Sequence, residues 1–219
     1  SALHLAASLG HVEIVQFLLA QIGTDIDAKD DNGRTPLHEA AEAGHEVVVG
    51  VLYEGGANLE LRESDEKSAA DLAVAGGHLP VLEKLNEKGA DFGRLPGNAV
   101  LLHAAASRED LPMMKFLLDA GIHPDARFSG LTPSMRTLHH QSLDALQMLL
   151  KAGAKAEART PSGISALHAA IENSVRGGDE EIISVLLGAG ARIHDRERDG
   201  LNAAELCGAR GRPDLSEII

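Results

Sequence analysis

Short amphipathic segments alternate with glycine-containing turns along the whole chain. The most regular copy, Asp31–His45, opens with a polar turn and continues with apolar residues at helical spacing from Leu37 onward. Thr35 and Pro36 suit the N-cap and the first helical position, because a threonine oxygen accepts a free backbone N–H and proline has none to leave unpaired. Gly44 ends the helix after about two turns. Since a helix this short is unstable alone, the pattern predicts that neighbouring helices pack against it.

The same segment recurs at nearly constant spacing. Subtracting residue numbers gives intervals of 32 to 37 positions between successive occupants of the His38 position: His4, His38, Asp71, His103, Met135, His168 and Glu205. A second apolar segment, predicted to be helical, follows in six copies: Val12–Leu19, Val47–Tyr53, Val81–Leu85, Met113–Leu118, Ala145–Leu150 and Ile182–Leu187. Extra residues within Asn173 to Gly178 account for the longest interval. The chain is therefore predicted to be a series of helix pairs.

The period and its motif resemble those of a known family. A repeat near 33 residues that carries T-P-L-H-x-A, as in Thr35-Pro-Leu-His-Glu-Ala40, resembles the ankyrin repeat, and the match extends over essentially all of the chain. The resemblance implies an all-α ankyrin-repeat solenoid of antiparallel helix pairs with short β-hairpin-like turns. We expect a single array of about seven repeats, the first and last truncated, with these bounds: 1–29, 30–62, 63–94, 95–126, 127–159, 160–196 and 197–219.

Composition and charge restrict the partners of such an array. Apolar residues make up 44% of the chain and aromatic residues only 2%, which predicts a core of alanine and leucine between closely packed helices. The formal charge is −13, most of it within residues 1–93, and this excess of acid disfavours nucleic acid, whose phosphates need lysine and arginine. A basic protein partner fits the acidic half. The competing interpretation is that acidic faces only keep the array in solution.

The single cysteine and the hydropathy pattern bear on the compartment. Cys207 has no second cysteine to pair with, which favours a reducing intracellular compartment, the cytoplasm or the nucleus. No apolar run approaches the ~20 residues that a helix needs to cross a bilayer, so no membrane insertion is expected. We expect a monomer.

The histidines are the main candidates for chemistry. Seven of the eleven fall at repeat positions: His4, His38, His103 and His168 in the T-P-L-H motif, and His11, His45 and His78 after the glycine that ends the first helix. The resemblance implies that these tie turns and neighbouring repeats together by hydrogen bonds. One histidine per repeat does not converge on one point as zinc requires. We therefore expect no metal site, no cofactor and, without a nucleophile elbow or phosphate loop, no enzyme.

The ankyrin resemblance also implies where a partner binds. It places variable contact positions in the turns and just after the Ala-Ala pair, on the concave face formed by turns and first helices. The residues of this sequence at those positions that we predict to bind a partner are Asn32, Arg34, Glu42, Asp65, Lys67, Arg108, Phe128, Leu131, His139, His140, Ile164, Glu172 and Asn173. Phe128, Leu131 and Ile164 are apolar where solvent favours polar residues, as binding hot spots are.

Residues 94–142 depart most from the repeat pattern and allow two interpretations. Either they form a pocket around Phe128 and His139-His140, or they are a weaker repeat where the array opens first. His139-His140 itself fits partner contact, a metal ligand pair or an ordinary helix end. For the whole chain we expect a non-enzymatic protein–protein interaction scaffold. The alternative is a targeting or regulatory arm of a larger enzyme or sensor whose catalytic domain lies outside these residues.

Overall fold

The computed structural model describes residues 1–94, 97–173, 180–197 and 200–219, except the side chain of Pro213. The helices in this part are α1 Ala2–Ser8, α2 Val12–Leu19, α3 Pro36–Glu42, α4 Glu46–Glu54, α5 Ala69–Gly76, α6 Leu79–Glu87, α7 Ala99–Ser107, α8 Leu111–Asp119, α9 Pro133–His140, α10 Leu143–Lys151, α11 Ala166–Asn173, α12 Glu180–Gly188, α13 Ala203–Ala209 and α14 Pro213–Ser216. Beyond Asn173, the extra residues predicted within Asn173 to Gly178 lie outside the described residues.

The chain divides into two compact units. Unit 1 is Ser1–Ala105 with Asp119–Gly121, and unit 2 is Ala106–Leu118 with Ile122–Ile219. In unit 1, first helices α1, α3 and α5 pack side by side, and second helices α2, α4 and α6 form another layer. In unit 2 the same two layers contain α9, α11 and α13, and α10 and α12. The predicted all-α fold of antiparallel helix pairs is confirmed in both units.

The turns before the first helices are short and hairpin-like. Isolated antiparallel bridges close three of them, Arg62 with Ser68, Phe128 with Leu131 and Arg159 with Ser165, and the described ranges contain no extended strand. Thr35 is the extended N-cap of α3 and Pro36 its first residue, as predicted. In α5 the N-cap hydroxyl of Ser68 accepts the amide of Asp71 at 3.2 Å. The Ser68 cap thus satisfies an amide that a short helix leaves free.

The motif histidines join consecutive repeats. The Thr35 amide donates to Nδ1 of His38 at 3.1 Å, and the Thr35 hydroxyl lies 2.8 Å from the same atom. Nε2 of His38 lies 3.2 Å from the carbonyl oxygen of Lys67 in the next repeat. Because that carbonyl can only accept, Nε2 carries the hydrogen. Because Nδ1 accepts the Thr35 amide, it carries none, and the ring is neutral. Burial lowers the pKa of His38, which agrees with a neutral ring.

The second set of histidines points to the preceding repeat. Nε2 of His78 donates to the carbonyl of Glu42 at 2.9 Å. The ring lies so close to Gly44 that a Cβ there would be 2.6 Å from Nδ1, and Gly44 also has φ of +78°. In unit 2, Glu109 occupies the glycine position with φ of 55°, and Ser142 replaces the histidine of the following repeat. The hydrogen-bonding role predicted for the histidines is thus confirmed for His38 at the motif position and for His78 at the position after the glycine.

Repeat five lacks the motif histidine but keeps the N-cap threonine that pairs with this histidine in repeat two. Met135 occupies that position, and the hydroxyl of the N-cap Thr132, 1% exposed, has no hydrogen-bond partner among the described residues. The buried Ser134 hydroxyl is equally unpaired within the described ranges, whereas Thr137 donates to the Ser134 carbonyl at 2.8 Å. Polar side chains thus occupy buried positions of α9. Unpaired buried hydroxyls cost free energy, so this helix is less stable than its counterparts.

Large apolar side chains remain exposed on the first helix pair. Ile14 is 49% exposed and Phe17 65% exposed. The residues at the position of Ile14 in later repeats are buried, with Val81 at 0% and Met113 at 0%. Register alone therefore does not bury a side chain. A neighbouring helix pair must also cover it.

Candidate functional site

In unit 1 the predicted contact residues meet around one arginine. Arg34 lies 2.8 Å from Glu63 of the next repeat, 2.5 Å from Glu42 and 3.5 Å from Glu39. The hydrogen bonds that Arg34 donates to Glu42 and Glu63 raise the pKa of Arg34, and Arg34 in turn lowers the pKa of Glu42. Two predicted residues, Arg34 and Glu42, are thus brought together and neutralise each other within the chain.

The other predicted residues of unit 1 lie in the turns beside this cluster. Lys67 lies 3.6 Å from Asp65 and 3.9 Å from Glu63, and both Lys67 and Asp65 are exposed. Asn32 is exposed, and its backbone carbonyl accepts the amide of Ser64 at 3.0 Å. The turn backbones of adjacent repeats are therefore bonded together, while the side chains of Asn32 and Asp65 point to solvent.

In unit 2 three predicted residues of repeat six line one groove. The groove holds about 420 Å³ and is formed by Ile164, Ala169, Glu172, Asn173, Glu197 and Arg210. Arg210 donates through Nε to Glu172 at 3.0 Å, so one wall carries an ion pair. Asn173 donates to the Leu138 carbonyl at 3.3 Å and is thereby held against repeat five. The groove combines apolar and polar lining residues, as ligand and peptide sites do.

Repeat five presents the remaining predicted residues and one that the sequence did not indicate. Phe128 is 39% exposed and Leu131 is partly buried, and their amides and carbonyls are paired at 3.1 Å. The exposed rings of His139 and His140 meet edge to face, with centroids 5.5 Å apart. Arg136, one turn into α9, is partly exposed, and its Nε is buried without a hydrogen-bond partner in the described part of the chain. The sequence does contain a signal for Arg136. The residue that follows the motif position is alanine in repeats four and six, and arginine replaces it in repeat five.

Other cations are already engaged. Arg127 donates to the carbonyl of Arg159 at 2.9 Å, and Lys29 donates to the carbonyl of Arg62 at 3.3 Å, so basic residues at repeat spacing bond consecutive turns. Arg192 lies 2.9 Å from Glu157. The predicted Arg108 is exposed beyond the end of α7, apart in sequence from the residues above. Lys29 and Arg127 therefore join consecutive turns of the chain.

Groups with catalytic or metal-binding potential are dispersed. Within the described ranges, no three histidine, cysteine, aspartate or glutamate side chains come together in a geometry that could hold a metal ion. Cys207 is fully buried, and burial raises the pKa of its thiol, which makes it a poor nucleophile. No helix of the described residues has both the length and the apolar character needed to span a membrane.

Short antiparallel helix pairs, linked through hairpin-like turns and tied by histidines, define a helical repeat protein. The chain belongs to the ankyrin repeat family: a family model described as ankyrin repeats in three copies matches residues 1–95 and 102–197. Ankyrin repeats are protein-interaction modules, and domains of this type are in general not catalytic.

Several known proteins resemble this chain. It is 32% identical over 127 residues to the Transient receptor potential cation channel subfamily A member 1 homolog of Caenorhabditis elegans. It is 31% identical over 169 residues to Rabankyrin-5 of Mus musculus. These matches cover 58% and 70% of this chain but only 10% and 14% of the relatives. The crystal structure of the ankyrin repeat domain of Bcl-3 is similar with a TM-score of 0.87 and 26% identity, over 99% of this chain and 98% of that one.

Proposed function

We propose that the chain is a non-enzymatic scaffold that binds a partner protein through its first-helix face, the surface formed by the turns and the first helices of the repeats. The observation that carries this proposal is in unit 2. There Ile164, Glu172 and Asn173 line one open groove, and Phe128 keeps an exposed aromatic surface. Exposed aromatic residues on a rigid surface supply much of the binding energy of protein interfaces.

Unit 1 supports a different kind of contact. Arg34 is surrounded by carboxylates, and Glu42 remains exposed at the edge of that cluster. With the acidic excess of residues 1–93, this side suits a basic partner surface, which acts mainly on association rate and is weakened by salt. We further propose that the chain acts as a monomeric, seven-repeat array in a reducing compartment, the cytoplasm or the nucleus.

Affinity capture with the 219-residue chain, followed by titration of each captured protein, tests the proposal. Phe128→Ala should weaken binding of a genuine partner by about 1 kcal/mol or more, because it removes an apolar anchor. Phe17→Ala is the matched control, since Phe17 is also exposed but lies on a second helix. Equal affinities for both variants and the unmodified chain would contradict the proposal. Repeating the titration at raised salt separates the charged contribution to binding from the apolar contribution.

A second candidate function rests on the comparisons. The chain spans about a tenth of the length of the curated relatives it matches, and one of these is a cation channel homolog. A targeting or regulatory arm of a larger enzyme or sensor fits that proportion. The reading frame on either side of these residues decides between the two: a catalytic or channel domain favours the arm, and further repeats favour the scaffold.

A further inference from the structure

The surface of repeat five contains a cation that the chain itself does not neutralise. Nε of Arg136 is buried and makes no hydrogen bond within the described ranges, and no described carboxylate lies within salt-bridge distance of this side chain. By contrast, Arg34, Arg159 and Arg192 each lie within 2.9 Å of a carboxylate oxygen. Leaving a guanidinium partly buried and unpaired is costly, which makes Arg136 the exception that needs an explanation.

The repeat register shows what Arg136 lacks. Counted from the motif position, the cluster of repeat two, Arg34 with Glu39 and Glu42, corresponds to Leu131, Arg136 and His139 in repeat five. In repeat two these three positions are in side-chain contact, at 3.5 and 2.5 Å. The fourth member, Glu63, corresponds to Thr160. The acidic residues Glu39, Glu42 and Glu63 are thus replaced by Arg136 and His139 of repeat five and Thr160 of repeat six, none of which is acidic.

We propose that Arg136 receives a carboxylate from an acidic segment of a partner protein that lies on the first-helix face of unit 2. This inference rests on the proposed function and specifies the partner's chemistry at that face. The aspartate or glutamate of the partner takes the place that Glu42 and Glu63 fill around Arg34, and guanidinium–carboxylate pairing favours such a group through two parallel hydrogen bonds.

The surroundings of Arg136 strengthen that pairing. Leu131 and Phe128 supply apolar surface next to the start of α9, and a partner chain over them excludes water from the ion pair. The groove lined by Ile164 and Ala169 of repeat six offers room for an apolar residue of the same segment. The expected ligand is therefore a peptide that alternates acidic and apolar residues, and it differs from the basic partner that suits unit 1.

Selection from a phage-displayed library of random short peptides on the 219-residue chain tests the inference. Enriched peptides should contain Asp or Glu, and Arg136→Gln should weaken the best of them by about tenfold or more, since a lost charged hydrogen bond has at least that effect. Replacing the peptide's acidic residue by Gln should weaken binding to the unmodified chain by a similar factor. The same replacement should not weaken binding to Arg136→Gln any further. Arg192→Gln removes the same charge from another part of unit 2 and should leave affinity unchanged.

Opposite outcomes overturn the inference. It fails if no peptide is enriched, if enriched peptides lack acidic residues, or if Arg136→Gln binds them as the unmodified chain does. It also fails if the chain self-associates in sedimentation and Arg136→Gln dissociates it, since a second copy then covers the face. Phe128→Ala distinguishes failure of this inference from failure of the proposed function. If Phe128→Ala loses partner binding and Arg136→Gln keeps it, the inference fails and the proposed function stands. Thermal unfolding checks that both variants fold.

Discussion

The hydroxyl oxygen of Thr35 lies 2.8 Å from Nδ1 of His38, and both side chains are almost completely buried. The pair fixes the ring so that its other nitrogen donates to the Lys67 carbonyl in the next repeat. One side chain therefore closes a turn and fastens two repeats. Such a ring is useful only while it is neutral, because protonated Nδ1 could no longer accept the Thr35 amide.

Stability should consequently depend on the protonation of His38. Its pKa is lowered in the folded chain, chiefly by burial, from an ordinary value of 6.5. The unfolded chain thus binds a proton where the folded chain does not. The stabilisation is complete above pH 6.5 and is lost as pH falls from there toward the lowered value, by up to about 1.4 kcal/mol per pH unit. Urea unfolding of the unmodified chain and of His38→Gln across this range should show their difference shrinking with acid. His11→Gln, at an exposed site, is the control, and an unchanged difference would refute the effect.

Restoring the missing histidine should stabilise repeat five. In Met135→His, Nδ1 would meet the unpaired Thr132 hydroxyl and Nε2 would face the turn of repeat six, as His168 faces the Leu201 carbonyl at 3.2 Å. We expect a gain of about 1 kcal/mol in the free energy of unfolding at neutral pH. Chemical denaturation measures it. Combining the change with Thr132→Val should cancel most of the gain, and an equal gain in that background would mean that the hydrogen bond is not its source.

The Arg34 cluster should show strong coupling between its members. Glu63 is only 7% exposed, so Arg34→Gln removes the charged hydrogen-bond donor of a buried carboxylate and should cost about 2 kcal/mol of stability. Glu63→Gln together with Arg34→Gln should cost less than the two single changes added, as a double-mutant cycle in urea would reveal. Arg192→Gln, which breaks an exposed pair, should change stability by at most about 0.5 kcal/mol. Strict additivity at the cluster would contradict this account.

Equivalent positions in the repeats should tolerate truncation differently. Val81→Ala removes two methyl groups from a fully buried site and should cost about 2 kcal/mol. Ile14→Ala removes more carbon from a side chain that is 49% exposed and should cost less than about 1 kcal/mol. Thermal unfolding of the two variants compares them directly. A larger loss at Ile14 would show that its exposed face is covered in solution.

The fold was predictable because the same local sequence signals recur in successive repeats. The caps at Thr35 and Pro36, the helix pairs and the bonding role of His38 follow from local chemistry repeated at a fixed period. The site was predictable only by position. Whether Arg34 is available depends on Glu63, 29 residues away, and no local pattern encodes that distance. Arg136 was missed because its significance comes from the absence of a hydrogen-bond partner for Nε among the described residues, and the sequence alone does not show that absence.

The contact between Gly44 and the ring of His78 restricts the order in which these positions can change. A side chain at Gly44 would meet that ring at 2.6 Å, so any replacement there must follow the loss of the histidine. At the equivalent contact in unit 2, Glu109 stands in place of the glycine and Ser142 in place of the histidine, so both residues differ together. At this contact the residue that one repeat can carry therefore depends on the residue that its neighbour presents.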